Sequence, residues 1–396
     1  MADVVRRRYW LILVALVVCG LLWRLYAVLE SPGSFFDLHN YDLMRATLTG
    51  DDPLSFYETV NARFLADDAP IPRWPYSLAL FPVTAIMEWV ADAADLATGR
   101  IYRLPPIAAD LAVAFVVQEA LRRRGASHGR RLLAFALVAV GPSFVANSAY
   151  HGQFDSLAIL APLLAVLIWE ERSGRRDVIL AGALVGLGGA LKTVPILAVL
   201  ALLPTASSWR ERRDVLVAAA VPPLLVLLPF VLRDPSSVVR SLAYGGYPGR
   251  GGLSLLLQPN LGRGADPNEV TELVQDLSRP VVIVVLLVLT VVLVRKRVAA
   301  PTAAAMIFLA VLVFGVNFAY GYVLWVVPFL LVDDRIAAAA AIQLALLPAN
   351  ALVYEASSTS ATLYWWIYLP SVAATWAVIA VLLARDTIGV VGDRAP

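Results

Sequence analysis

The chain has 396 residues, 60% of them hydrophobic, and a mean hydropathy of +0.73. A soluble domain is about 45–50% apolar, so this composition excludes a large water-soluble protein and leaves a polytopic helical membrane protein. The net charge of +2 gives no basis for nucleic-acid binding, and a single cysteine, Cys19, excludes a disulfide framework and a thiolate metal site.

In chain order, Arg6-Arg7-Arg8 precedes an apolar run from Tyr9 to Leu29. A signal-peptide core is roughly 7–15 residues and leads to a small-residue cleavage site. This run is longer and has no such site, so a retained first span is expected. Roughly 20 apolar residues cross a bilayer core as a helix. Further apolar segments fall at 104–121, 132–148, 155–169, 214–232, 280–294, 301–316, 320–332, 336–353 and 364–384. Residues 75–91 are apolar but carry Pro75, Pro82 and Glu88. Residues 178–204 are too long for one span and are interrupted by Gly186, Gly188, Gly189, Lys192 and Pro195.

The basic residues orient these segments, because Lys and Arg collect in cytoplasmic loops. The strongest clusters are Arg6–Arg8, Arg122–Arg124 with Arg130-Arg131, Arg172 with Arg175-Arg176, Arg210 with Arg212-Arg213, and Arg295-Lys296-Arg297. With all of them in the cytoplasm, 75–91 is a re-entrant or interfacial element. The stretch 178–204 becomes two short spans meeting outside near Lys192. The expected fold is all-α with about twelve transmembrane helices, both termini inside, and long external loops at 30–103 and 233–279, after spans one and seven.

This topology brings the unusual polar residues to one face, where each would be costly without a use. Asp37, in Phe36-Asp37-Leu38-His39-Asn40-Tyr41-Asp42, follows the first span directly and is a candidate general base for an acceptor hydroxyl. Asp42 has the same chemistry and stands in reserve. His151, Gln153 and Asp155 crowd into one turn, suited to sugar hydroxyls or a phosphate-bearing group. Lys192 is one of two lysines, set against thirty arginines (32 basic residues less two). At a helix break it is a candidate for a phosphate leaving group, with snorkelling to the surface as the alternative. Arg73, beside Trp74-Pro75-Tyr76, and Arg250 and Arg263, in a glycine-rich loop, are further candidates for phosphate. Arg103 and Asp110, seven apart on one helix, are expected to form a structural pair, and His128 to be solvated.

The order of these elements resembles the membrane-embedded GT-C glycosyltransferases. It comprises a span, an external loop opening on Asp37, Gly50-Asp-Asp-Pro53 with Tyr57, Trp74-Pro75-Tyr76, Ala109-Asp110-Leu111, the His151–Asp155 turn, and Gly186 to Lys192-Thr-Val-Pro195. The resemblance covers about residues 9–260. It is to polyprenyl-phosphate-sugar-dependent mannosyl- and glucosyltransferases and, more remotely, to the catalytic subunit of oligosaccharyltransferase. It implies a catalytic module over residues 1–279, C-terminal scaffold spans over 280–396, and a catalytic aspartate at Asp37. Asp42, Arg73, His151, Gln153, Asp155, Lys192, Arg250 and Arg263 then fall to substrate binding.

The function implied is inverting transfer of a sugar, a mannose-like hexose favoured, from a polyprenyl-phosphate donor. The acceptor is a lipid, glycan or protein on the external face of the cell membrane. The Asp-x-Asp or Asp-x-Glu metal pair of oligosaccharyltransferase is absent at 151–155, so neither metal nor cofactor is expected. The competing class is a lipid or sugar transporter, which would show paired helix breaks in two halves; no internal repeat is visible.

Overall fold

The computed structural model describes residues 2–33, 35–66, 74–243, 246, 249–317, 319–354 and 360–392; among them there is no strand. Every apolar segment of the sequence is helical. Among the described residues, seven helices are long and apolar enough to cross a membrane: 7–30, 98–123, 128–151, 209–233, 269–296, 336–353 and 361–392. The remaining apolar segments are shorter. Asp155–Glu171 and Arg175–Leu191 have 17 residues each, and Val194–Thr205, Ala300–Phe314 and Gly321–Val332 are shorter still. At 1.5 Å per residue, 17 residues rise only about 25 Å, against a hydrocarbon core of about 30 Å.

The outer surface is what a bilayer requires. Leu224, Leu225, Leu228 and Leu232 on the helix Trp209–Arg233, and Ile283, Val284, Leu287 and Val288 on Glu269–Lys296, are all exposed. Such contiguous apolar faces would be a liability in water. Inside, close approach is made by small residues, as expected where lipid offers no hydrophobic drive between helices. A Cβ on Gly182 or Gly186 would fall 2.5 or 2.3 Å from the carbonyl oxygens of Val215 and Ala219, and one on Gly188 would fall 2.5 Å from that of Ala158. These glycines therefore serve packing within the helix Arg175–Leu191 and do not break it. The break comes at Lys192, whose backbone is extended, just before the turn that carries Pro195.

The bundle has two distinct ends. At one, Arg123 pairs with Glu171 at 2.7 Å, Arg124 with Glu170, Arg130 with Asp334 at 2.8 Å, Arg175 with Asp214 at 2.7 Å, and Arg335 with Asp386 at 2.6 Å. His128 belongs here too, with its ring against Tyr9 at 4.8 Å. The exposed pairs among these, such as Arg123–Glu171, add little stability; the value of the set is that it brings together the turns carrying most of the arginines.

At the other end, residues 35–66 and 74–94 fold into a cap over the helix termini. Tyr41, Met44, Phe56, Tyr57, Trp74 and Leu78 form its core, packed on Tyr102, Phe154, Leu191 and Phe230. Asn61 donates to the Ser237 carbonyl at 3.0 Å, and Arg233 reaches Asp52 at 2.8 Å. The helix Phe81–Ala94 has only 14 residues. Its Glu88 pairs with Arg45 of the helix Phe35–Leu48, while Ile86 and Trp89 stay exposed.

The bundle is pinned by a fully buried ion pair, and its partners differ from those expected. Asp110 accepts from Arg24 Nε and Nη2, at 3.0 and 2.7 Å, and from Ser148 at 2.6 Å and Ser156. Arg103 lies near the start of the helix, two turns before Asp110, and spends its guanidinium on the carbonyls of Gly99, Ala149 and Ser31 at 3.1, 2.9 and 2.8 Å. Pro142 supplies no N–H to the carbonyl four residues earlier. That carbonyl, Val138, accepts from Arg24 at 3.3 Å, and its neighbour Ala139 does so too. Gln343 takes Leu137 at 2.8 Å.

Removing one member of such a pair strands the other charge. Asp110→Ala is expected to cost roughly 3–5 kcal/mol, read as thermal unfolding in detergent. Arg24→Met with Asp110→Leu should cost less than Asp110→Ala alone. A double variant worse than the single would show that the pair is not the element holding these helices.

Candidate active site

The site is built on an irregular stretch between two helices. Residues Ala146–His151 form a π-helical turn, a local widening that tends to sit at functional sites. Gly152 closes it in the left-handed region, at φ +87°, a conformation that costs any residue with a Cβ. The N–H groups of Gly152 and Gln153 both reach the Asn147 carbonyl, at 3.1 and 3.0 Å. The next helix starts at Asp155, so its positive N-terminal end lies beside that carboxylate. In five residues the chain turns His151 and Gln153 toward the cap and Asp155 into the bundle.

Asp37 comes from the helix Phe35–Leu48. Its Oδ2 lies 2.8 Å from His151 Nε2, and its Oδ1 accepts from Gln153 Nε2 at 2.7 Å. Asp37 and His151 remain 22% and 21% exposed. One turn along, Tyr41 donates to the Gly152 carbonyl at 3.2 Å. Burial, and then the charge of Asp37, raise the Tyr41 hydroxyl well above its ordinary pKa, so it stays a donor. Asp42 is five residues on, turned away by roughly 140°, and accepts from Tyr102 at 3.2 Å.

Behind this pair lies a second, buried one. Lys192 Nζ is 2.7 Å from Asp155 Oδ1, with the two side chains 4% and 1% exposed. The same ammonium donates to Gln153 Oε1 at 2.7 Å. The rings of Tyr76 and Tyr322 stand 5.3 and 5.6 Å from it, close enough for cation–π attraction. Asp155 also accepts from Trp325 Nε1 at 2.8 Å and Asn147 Nδ2 at 3.1 Å. Lys192 therefore does not snorkel; its charge is matched inside the protein.

Asp37, His151, Gln153, Asp155 and Lys192 thus form one connected cluster. Arg250 and Arg263 sit on the glycine-rich loop toward the C-terminal helix. Tyr368 donates to the Arg250 carbonyl at 2.5 Å, and Arg263 lies 5.9 Å from the Tyr364 ring. Arg73 lies outside the described residues. Among the described residues no three His, Cys, Asp or Glu gather in a metal-ligand group.

The family model for glycosyltransferase family 87 matches residues 75–353, which is 279 of the 396 residues (353 − 75 + 1). The chain belongs to glycosyltransferase family 87. This is a family of GT-C-type membrane glycosyltransferases, so the protein is an enzyme that transfers sugars. No curated protein matches the chain. The family 87 match includes the His151–Asp155 turn, Lys192, Arg250 and Arg263, along with Asn147, Tyr322 and Trp325, which sequence reasoning missed. Asp37 and Asp42 precede it. The signal available for Tyr322 and Trp325 was a broken apolar segment rich in Tyr and Trp, which reads equally as a membrane-interface belt.

Gly152 offers a direct check on this geometry. A Cβ there would meet Leu38 and Arg103 at 3.4 and 3.5 Å, so space is adequate and only the positive φ opposes it. Gly152→Ala should cost about 1–2 kcal/mol and reduce sugar transfer, with Gly152→Asn milder because Asn tolerates this region. Thermal unfolding and transfer rates measured together decide it; an alanine variant equal to the native protein would refute it.

Proposed function

We propose that the protein is an inverting glycosyltransferase that moves a hexose, mannose-like by preference, from a polyprenyl-phosphate carrier to a hydroxyl of a lipid, glycan or protein. The observation that carries this reading is Asp37, a carboxylate held on both oxygens yet still partly open, at the end of the bundle away from the arginine turns. The positive-inside rule then puts the reaction on the extracytoplasmic face of the cell membrane. The twelve-span scheme, with external loops at 30–103 and 233–279, is the topology that goes with it.

In this reading the acceptor O–H donates to Asp37. The acceptor oxygen attacks the anomeric carbon as the bond to the phosphate oxygen breaks. The bonding pair leaves with the phosphate monoester, and the acceptor proton passes to Asp37. One displacement inverts the anomeric centre. Negative charge grows on the leaving oxygen, and preorganised cations stabilise such charge. Arg250, Arg263 and Arg73 are the residues assigned to it. Lys192 is already committed to Asp155 and Gln153, which favours a supporting part for it. Residues 280–396 are chiefly scaffold, although they supply Tyr322 and Trp325.

Asp37→Asn should lower turnover by roughly 10²–10⁴ in membranes offered several radiolabelled polyprenyl-phosphate sugars, with expression and donor binding little changed. Asp42→Asn should be mild. The opposite ranking would transfer the base role to Asp42.

Topology is checked separately with single cysteines on a Cys19→Ala background. A cysteine at Ala126 should react with membrane-impermeant maleimide only after the cells are opened, and one at Asp266 in intact cells. Labelling of position 126 from outside would invert the scheme.

A further inference from the structure

A single amide joins Asp37 to Lys192. Gln153 gives its N–H to the carboxylate and takes a proton donor from the ammonium, each at 2.7 Å. An amide has one end of each kind. Turned over, it would set oxygen against an anion and nitrogen against a cation, so the two charges fix its orientation. Lys192 is itself buried, held by Asp155 and flanked by Tyr76 and Tyr322. Asp155 is fixed in turn by Asn147 and Trp325. The order Asp155, Lys192, Gln153, Asp37 is a continuous strut from the buried core to the partly open carboxylate.

We infer that Lys192 and Gln153 are positioning residues: the buried ammonium, acting through the Gln153 amide, holds the Asp37 carboxylate in the orientation that receives the acceptor proton. This rests on the reading of Asp37 as the base. His151 holds the other oxygen. Four other charged or titratable groups near Asp37 have partners of their own. Tyr41 is a neutral donor to Gly152, Asp42 is bound by Tyr102, Arg103 is spent on backbone carbonyls, and Asp155 lies behind Lys192.

The test is the pH profile and the split between kcat and donor KM. Gln153→Glu keeps the shape but sets a carboxylate oxygen against Asp37. Two carboxylates so placed share a proton, which raises the pH at which the second ionises. The acid limb of kcat should therefore move up by about one unit or more, with activity partly recovered at alkaline pH. Gln153→Met should lower kcat by about tenfold or more, as expected for a misaligned base, and leave donor KM within about twofold. Lys192→Met combined with Asp155→Asn removes both buried charges together, so no lone ion is left in the core, and should reproduce the Gln153→Met pattern.

An unmoved acid limb in Gln153→Glu, or a donor KM raised in Gln153→Met with kcat intact, would overturn the proposal and make these residues donor contacts. Asp37→Asn is assayed alongside. If it retains turnover, the base reading itself fails. If it is inactive while the Gln153 variants behave as donor contacts, the base stands and only the strut is lost. Should Gln153→Glu not yield folded protein, the neutral Gln153→Met decides the question by its KM and kcat.

Discussion

A charge inside a membrane bundle survives only if it is matched, and two buried ion pairs, Arg24–Asp110 and Lys192–Asp155, lie where helices are interrupted. Arg24–Asp110 sits against the interruption at Gly141-Pro142, where Arg24 takes the carbonyls that proline leaves without a donor. Lys192–Asp155 sits where one helix ends and another begins. Without hydrocarbon-compatible partners, freed backbone groups would be prohibitive at this depth. Arg24 is therefore one means by which the bundle tolerates irregular backbone, and irregular backbone is what turns side chains toward a common point.

The two pairs meet in one stretch of chain. Between residues 147 and 156, Ser148 and Ser156 donate to Asp110, Asn147 bonds Asp155, and Gln153 and Asp155 engage Lys192. His151 and Gln153 reach Asp37. Neighbouring residues thus serve different networks, so the π-turn and Gly152 cannot shift without disturbing several bonds at once. Helix length varies as well. Asp155–Glu171 and Arg175–Leu191 rise about 25 Å and Trp209–Arg233 about 37 Å.

Much of this was legible in the sequence, and the reason is physical. Polar residues are so expensive in an apolar chain that Asp37, the His151–Asp155 turn and Lys192 stand out on composition alone. Arginine placement was enough to group the turns that the salt bridges bring together. Partners were not legible. Asp110 looked matched by Arg103 on its own helix, and its true partner, Arg24, lies 86 residues away. Trp325 meets Asp155 across 170 residues, and nothing in a run of aromatic and apolar residues announces a hydrogen bond. Glycines in 178–204 looked like helix breakers, because a sequence does not reveal whether a missing side chain bends a helix or admits a neighbour. Span counting met the same limit, since a 17-residue apolar helix can be a short crossing or a half-buried element.

The arrangement of charge around Asp37 bears on its proposed part as the base. A base must be ionised, yet an ammonium in direct contact would hold its lone pairs and depress its basicity. Here the cation stands one amide away. Asp155 takes the direct contact and neutralises Lys192, while Gln153 passes on only a neutral N–H. His151 offers the second oxygen an imidazole nitrogen, a softer partner than guanidinium. Arg103 passes close to the turn, but its donors are consumed by three carbonyls. Asp37 is thereby oriented by an amide and an imidazole while Lys192 keeps its direct contact with Asp155, an electrostatic setting that suits the base role proposed for it.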